Sequence, residues 1–142
     1  MKLSARNVFT GTVTTIKKGV VNTEVVLDVK GGPSISAVIT NSSIDNLGLK
    51  TGSEAFAIIK ASSIIIGADL HDAKVSARNI ICGTVSKVVD GPVSAEVGVD
   101  IGAGITLTGV ITEESAKNLG LKVGGHACAM FKASSVILGV KG

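Results

Sequence analysis

Apolar and polar residues alternate along much of this chain. From Thr23 to Val29, Val25, Leu27 and Val29 fall on one side of an extended segment, and Glu24 and Asp28 fall on the other. That is the period-two pattern of a half-buried strand. Leu3 to Ile16 reads as a long first strand, ended near Lys17-Lys18-Gly19. Gly31-Gly32-Pro33 is a turn, and Ser34 to Thr40 a third strand with Ile35, Ala37 and Ile39 on one face. The period then changes. Ile44 and Leu47 are three apart, which predicts a short helix capped by Thr40 or Asn41 and ended by Gly48. Ala55 to Ile59 and Ser62 to Ile66 read as fourth and fifth strands. Five strands with a helix between the third and fourth is the order of an OB-fold-like Greek-key barrel.

The same plan occurs twice. At an offset of 72 residues the halves align without a gap, and 31 of 68 positions are identical. Ser4-Ala5-Arg6-Asn7 recurs at Ser76 to Asn79, Asn46 to Lys50 at Asn118 to Lys122, and Lys60 to Ser63 at Lys132 to Ser135. The expected fold is therefore all-β: two tandem five-stranded OB-fold-like Greek-key barrels, each with one short helix. The modules are expected at 1–68 and 74–142, joined by a linker at about 69–73 that carries Asp69, His71 and Asp72. A module this small buries only about 60% of its unfolded surface and is marginal alone.

Composition sharpens this picture. Hydrophobic residues make up 45% of the 142, yet Trp and Tyr are absent and Phe occurs three times. The apolar content is aliphatic and largely β-branched, which suits strands. It exceeds what two small barrels can bury, and so predicts a homo-oligomer. The net charge of +3 is too weak to imply a nucleic-acid partner by itself. No run reaches 18 apolar residues, so no membrane partner is expected. The start, Met1 to Phe9, has no apolar signal core, which predicts a cytoplasmic protein. Cys82 and Cys128 both lie in the second half and do not make a disulfide framework.

Catalytic constellations are missing from the repeated plan. His71 falls in the linker, and His126 aligns with Glu54. Cys82 aligns with Thr10 and Cys128 with Phe56, replacements that suit core or wall positions. No Cys or His cluster has the spacing of metal ligands. Glu24, Asp28 and their counterparts Glu96 and Asp100 read as a solvated strand face. The residues kept in both copies are cationic and hydroxylic. They are Ser4, Arg6, Thr40, Ser43, Lys60 and Ser62, with Ser76, Arg78, Thr112, Ser115, Lys132 and Ser134. A guanidinium fork, an ammonium, hydroxyl donors and the free N–H groups of a helix start are what a dianion requires. No enzyme and no cofactor is expected.

These motifs resemble the molybdate-binding Mop, or molbindin, family. The shared pattern is Ser4-Ala5-Arg6-Asn7, the Thr40-x-x-Ser43 pair and Lys60-Ala61-Ser62, with their second copies. The resemblance covers nearly all of both modules. It implies trimers of the two-module chain, with molybdate or tungstate held between modules. On that pattern Ser4 and Arg6 come from one module, and Thr40, Ser43 and Lys60 from a neighbouring one. The second set is Ser76 and Arg78 with Thr112, Ser115 and Lys132. It further implies sites on the threefold axis near Asn22 and Ser94, where Asn in the first copy faces Ser in the second. Two other readings compete. A single-stranded nucleic-acid-binding OB module would need base-stacking aromatics that are scarce here. A structural or interaction protein would use Arg6 and Lys60 in inter-module salt bridges to Glu24 or Asp28.

Overall fold

A computed structural model describes residues 2–70 and 73–142. The expected linker residues His71 and Asp72 lie outside the described residues. The first half runs β1 (Asn7–Lys18), β2 (Asn22–Val29), β3 (Ser34–Thr40), α1 (Asn41–Leu47), β4 (Glu54–Ile59), a 3-10 turn (Ala61–Ser63) and β5 (Ile65–Gly67). The second half repeats it with β6 (Asn79–Asp90), β7 (Ser94–Asp100), β8 (Thr106–Thr112), α2 (Glu113–Leu119), β9 (His126–Phe131), a 3-10 turn (Ala133–Ser135) and β10 (Val136–Gly139).

Local chemistry explains most of these elements. Val25, Leu27 and Val29 are buried, as the alternation requires, and so are Ile35 and Ala37 on β3. Thr40 caps α1 by accepting the Ser43 N–H, and Gly48 ends it in the left-handed region at φ 64°. The first strand starts later than expected, at Asn7 rather than Leu3. In both copies a bulge interrupts the pairing of the long strand with its neighbour, between Val13 and Thr15 and between Val85 and Lys87. A bulge bends and twists the strand, as a small barrel needs. At Gly11 a Cβ would lie 2.1 Å from the Asp28 carbonyl oxygen, so only glycine fits that close approach of β1 to β2.

The fifth strand departs from the expected plan. The two sheets have the orders β10-β4-β1-β2-β3 and β5-β9-β6-β7-β8. Each module thus completes its partner's sheet: β10 pairs antiparallel with β4, and β5 with β9. The sequence could not decide this, because Ile64-Ile65-Ile66 and Val136-Ile137-Leu138 carry the same alternation and fit either sheet edge. Ile64 and Ile66 are buried in the second barrel, against Gly109, while Val136 and Leu138 are buried in the first. Four exchanged aliphatic side chains, at about 1.5–3 kcal/mol each, bind the modules into one unit as an upper estimate. Their buried residues form one continuous cluster.

Two asparagines complete the join. The Asn7 side chain donates to Ile59 O (3.1 Å) and Thr108 O (2.8 Å) and accepts from Thr108 N–H (2.8 Å). Asn79 does the same with the backbone of Ser36, donating to its carbonyl and accepting from its N–H, each at 2.8 Å. Each asparagine is buried and reaches across to the third strand of the other module. A buried amide must be fully paired, which makes this contact specific as well as cohesive.

Candidate oxyanion site

The exchange of strands also regroups the polar residues that occur in both copies. Lys132 and Ser134 sit at the exit of β9 and on the following 3-10 turn, which packs against β3 of the first module. One open cleft, of about 550 Å³, is lined by Ser76, Arg78, Lys132 and Ser134 together with Val38. An adjoining cleft, of about 530 Å³, is lined by Thr40, Ser43, Asn22 and again Val38 and Ser134. Thr40 and Ser43 therefore stand beside the second module's lysine turn, not beside Lys60. This differs from the grouping the resemblance implied, which drew Thr40, Ser43 and Lys60 from a single module. The cause is the crossover at each lysine, which carries the chain into the other barrel.

The mirror arrangement holds on the other side. The turn holding Ser62 packs against β8, which ends at Thr112. Ser115 and Ile111 line a cleft of about 390 Å³ with Ile64, Ile65 and Ile66. Ser4 is exposed. Among the described residues neither Lys60 nor Lys132 carries an ion pair. Both are exposed and available to an anion.

The hydroxyls are oriented by the helix cap. Thr40 Oγ1 accepts the Ser43 N–H at 3.1 Å and donates to Ser43 Oγ at 2.8 Å. Thr112 and Ser115 repeat this at 3.1 and 2.7 Å. With its oxygen already accepting, each serine is left with its O–H to donate outward. Asn22 faces Thr40 across the β2–β3 ladder, and Ser94 faces Thr112 across β7–β8. The two residues expected at an axial site thus adjoin the capping hydroxyls.

The arginines have partners that sequence reasoning missed. Arg78 makes a two-pronged pair with Glu24, its Nη1 lying 3.0 Å from Oε2 and its Nη2 bonding Oε1. Arg6 Nη1 bonds Glu96 Oε1, and Lys87 Nζ lies 3.8 Å from the same oxygen. The hydrogen bond from Arg78 holds the Glu24 carboxyl below its ordinary value, and Glu24 in turn raises Arg78. Glu24 and Glu96 are therefore not a merely solvated face. The salt bridges expected of an interaction protein are present for the arginines, though with Glu96 and Glu24 as partners. Both guanidiniums stay about half exposed, at 55% and 52%. Each has five N–H donors, so the bidentate pair of Arg78 leaves three for another acceptor.

The cysteines differ from expectation as well. Cys82 and Cys128 face each other on β6 and β9 and are joined by a disulfide. His126, two residues before Cys128, lies on the same face, and its nitrogen lies within 4.8 Å of both sulfurs. Spacing could not reveal this, because 46 residues separate the two cysteines and only the strand register brings them together.

Comparison with known proteins accords with this architecture. The TOBE domain family matches the chain twice, at residues 3–66 and 75–138. A molybdenum transport protein, ModE, of Azotobacter vinelandii is 44% identical over 142 residues, covering all of this chain and 52% of that protein. The molybdenum-pterin-binding protein MopA of Rhodobacter capsulatus is 45% identical over 138 residues, or 97% of this chain and 52% of its own length. The chain thus spans about half the length of these curated relatives. The solved structure of a cytoplasmic molybdate-binding protein, ModG, with molybdate bound superimposes with a TM-score of 0.96 at 45% identity, covering 99% of this chain and all of that one. Among the described residues no helix is long and apolar enough to cross a membrane. With both halves matched and the full-length overlay, the chain belongs to the TOBE-domain family, in its two-module Mop form.

Proposed function

We propose that this chain binds a tetrahedral oxyanion, molybdate or tungstate, as a binding protein of molybdenum homeostasis rather than as an enzyme. The observation that carries this reading is the meeting of two donor sets across the module boundary. Ser76, Arg78, Lys132 and Ser134 face Thr40 and Ser43 in adjoining clefts. Every one of these side chains can donate to an anion, and Lys132 and the outer edge of Arg78 supply positive charge. The mirror set is Ser4, Arg6, Lys60 and Ser62 with Thr112 and Ser115. The names of the relatives support molybdate as the ligand, and that of the solved neighbour supports a cytoplasmic setting.

The same reading includes a homotrimer. Large aliphatic side chains stay exposed on the chain, among them Val20 at 98%, Val93 at 78% and Val21 at 68%. All three sit at the hairpin tips between β1 and β2 and between β6 and β7. Light scattering is expected to give three chains per particle, and a monomer at micromolar concentration contradicts it.

Calorimetry tests the ligand. Molybdate and tungstate should bind and phosphate should bind weakly, because phosphate near neutral pH partly keeps a proton that a donor-only shell cannot accept. Sulfate lacks that proton and is excluded only by its size. Equal affinity for sulfate and molybdate would reduce the site to a generic anion patch.

A further inference from the structure

The duplication provides an internal control for the face of the second barrel that carries the cysteines. In the first module the corresponding positions are Thr10, Glu54 and Phe56, which also share one cleft. In the second module all three are replaced together, by Cys82, His126 and Cys128. The replacements are two thiol side chains and one imidazole, and their donor atoms all lie within 4.8 Å of one another. They open on a cleft of about 270 Å³ walled by Leu70, Val75 and Ile80, with Asp69 at its edge. This place meets the cleft of Arg78 and Lys132 only at Val75 and shares none of the polar residues that line the oxyanion clefts.

We propose that, with the disulfide reduced, Cys82, Cys128 and His126 form a binding site for one zinc ion per chain. Two thiolates and an imidazole are a donor set that zinc favours, and a solvent molecule in the open cleft takes the fourth position. Zinc lies about 2.3 Å from sulfur and about 2.0–2.1 Å from nitrogen, so tetrahedral donors stand roughly 3.5–3.8 Å apart. The donor atoms already lie within 4.8 Å of one another, and side-chain rotation about Cα–Cβ adjusts them to that spacing without moving β6 from β9. Two thiolates cancel the charge of the ion, and the apolar wall strengthens the attraction between them. The site is gated by oxidation state. A low-molecular-weight disulfide takes two electrons from the two zinc-bound thiolates. The Cys82–Cys128 bond forms, the disulfide leaves as two thiolates, and the zinc ion is released. A phosphine reverses the change, breaking the disulfide to two thiols and leaving as its oxide with an oxygen from water. Zinc then displaces the two thiol protons.

The test uses the full chain, reduced with a phosphine in metal-free buffer and titrated with zinc against a chromogenic chelator. One zinc per chain is expected, and none before reduction. Cobalt should give a thiolate-to-metal charge-transfer band, in a near-ultraviolet window left clear by the absence of Trp and Tyr. Cys82→Ser should abolish the band. His126→Ala, at an exposed position, should weaken zinc binding by roughly tenfold or more while leaving circular dichroism unchanged. The proposal is overturned if the reduced chain takes up no stoichiometric zinc. It is equally overturned if a folded His126→Ala chain binds zinc as tightly as the parent. Molybdate calorimetry on the zinc-free chain reads the oxyanion site separately, so failure of one reading leaves the other distinguishable.

Discussion

Gly48 and Gly120 end the two short helices at φ 64° and 63°, and Thr40 and Thr112 begin them with the same pair of hydrogen bonds. The backbones of the two modules are thus nearly interchangeable, but the helix starts are not. In the first module Asn41 donates to the carbonyls of Gly19 (3.0 Å) and Val20 (3.1 Å) and accepts from the Thr23 hydroxyl (2.5 Å), tying the hairpin tip to the helix. In the second module Glu113 stands in that place and Ala95 replaces Thr23. Among the described residues one Glu113 carboxylate oxygen is buried without a hydrogen-bond partner, and Asp90 lies close by. Glu114 adds a second acid to the first turn of α2, where α1 has none. Duplication kept the scaffold and let its electrostatics diverge, so on the proposed function the cleft with Thr40 and Ser43 is expected to bind an anion more tightly than the one at Thr112 and Ser115.

The largest effect expected on the join between modules comes from its asparagines. Asn7→Leu strands the backbone of Thr108 and Ile59, three hydrogen bonds in all, whereas Asn79→Leu strands two groups of Ser36. Each buried group left unpaired costs about 1–3 kcal/mol. Urea unfolding should show both variants destabilised, Asn7→Leu more than Asn79→Leu. An unchanged midpoint for either would remove the clamp from the account.

Glu113 gives a smaller effect with a distinctive pH dependence. Desolvation, followed by the negative charge of Asp90, raises its carboxyl above the ordinary value of 4.5. A raised acid binds its proton more tightly in the folded state, so its ionisation weakens folding as pH rises through and above that value. Glu113→Gln should therefore raise the melting temperature at pH 7. The gain should shrink toward zero as pH falls below 4.5. A variant equally stabilised at pH 3 and pH 7 would show a packing effect instead.

The smallest expected effect is at Glu24. Arg78 lowers its carboxyl, so the pair stabilises the fold fully above 4.5 and is lost as pH falls through the lower folded value. The pair is partly exposed to solvent, so Glu24→Gln should cost less than about 1 kcal/mol at neutral pH, and nothing in acid. The melting difference between parent and variant across pH checks this. A difference that persists at low pH contradicts the assignment.

Local chemistry was legible in the sequence where it acts over a few residues. Thr40, Gly48 and the alternation through Val25, Leu27 and Val29 are examples, because caps and strand faces are set by near neighbours. What the sequence could not show lies across the duplication. The edge strands Ile64–Ile66 and Val136–Leu138 are interchangeable in pattern, so only the three-dimensional path of the chain decides which sheet each joins. Asn7 belongs to the repeated Ser4-Ala5-Arg6-Asn7 motif, yet its amide is spent on the backbone of Ile59 and of Thr108 in the other module. Arg6 and Glu96 are 90 residues apart and Arg78 and Glu24 are 54 apart, and no spacing rule links them. The donors repeated in both copies are visible in the sequence, but which of them stand together is not, because the crossover exchanges the ends of the two modules.

That sorting is the central claim, and a pair of double-mutant cycles in molybdate affinity tests it most directly. Ser43→Ala removes the outward hydroxyl and leaves the Thr40 cap on the Ser43 N–H intact. Combined with Lys132→Ala, it should give a non-additive loss, with a coupling of roughly 0.5–3 kcal/mol, because both groups serve one anion across the module boundary. Combined with Lys60→Ala, the losses should add within about 0.5 kcal/mol, because that lysine begins the turn that packs against β8, on the other side from Ser43. Strong coupling of Ser43 to Lys60, with none to Lys132, would contradict the exchanged site.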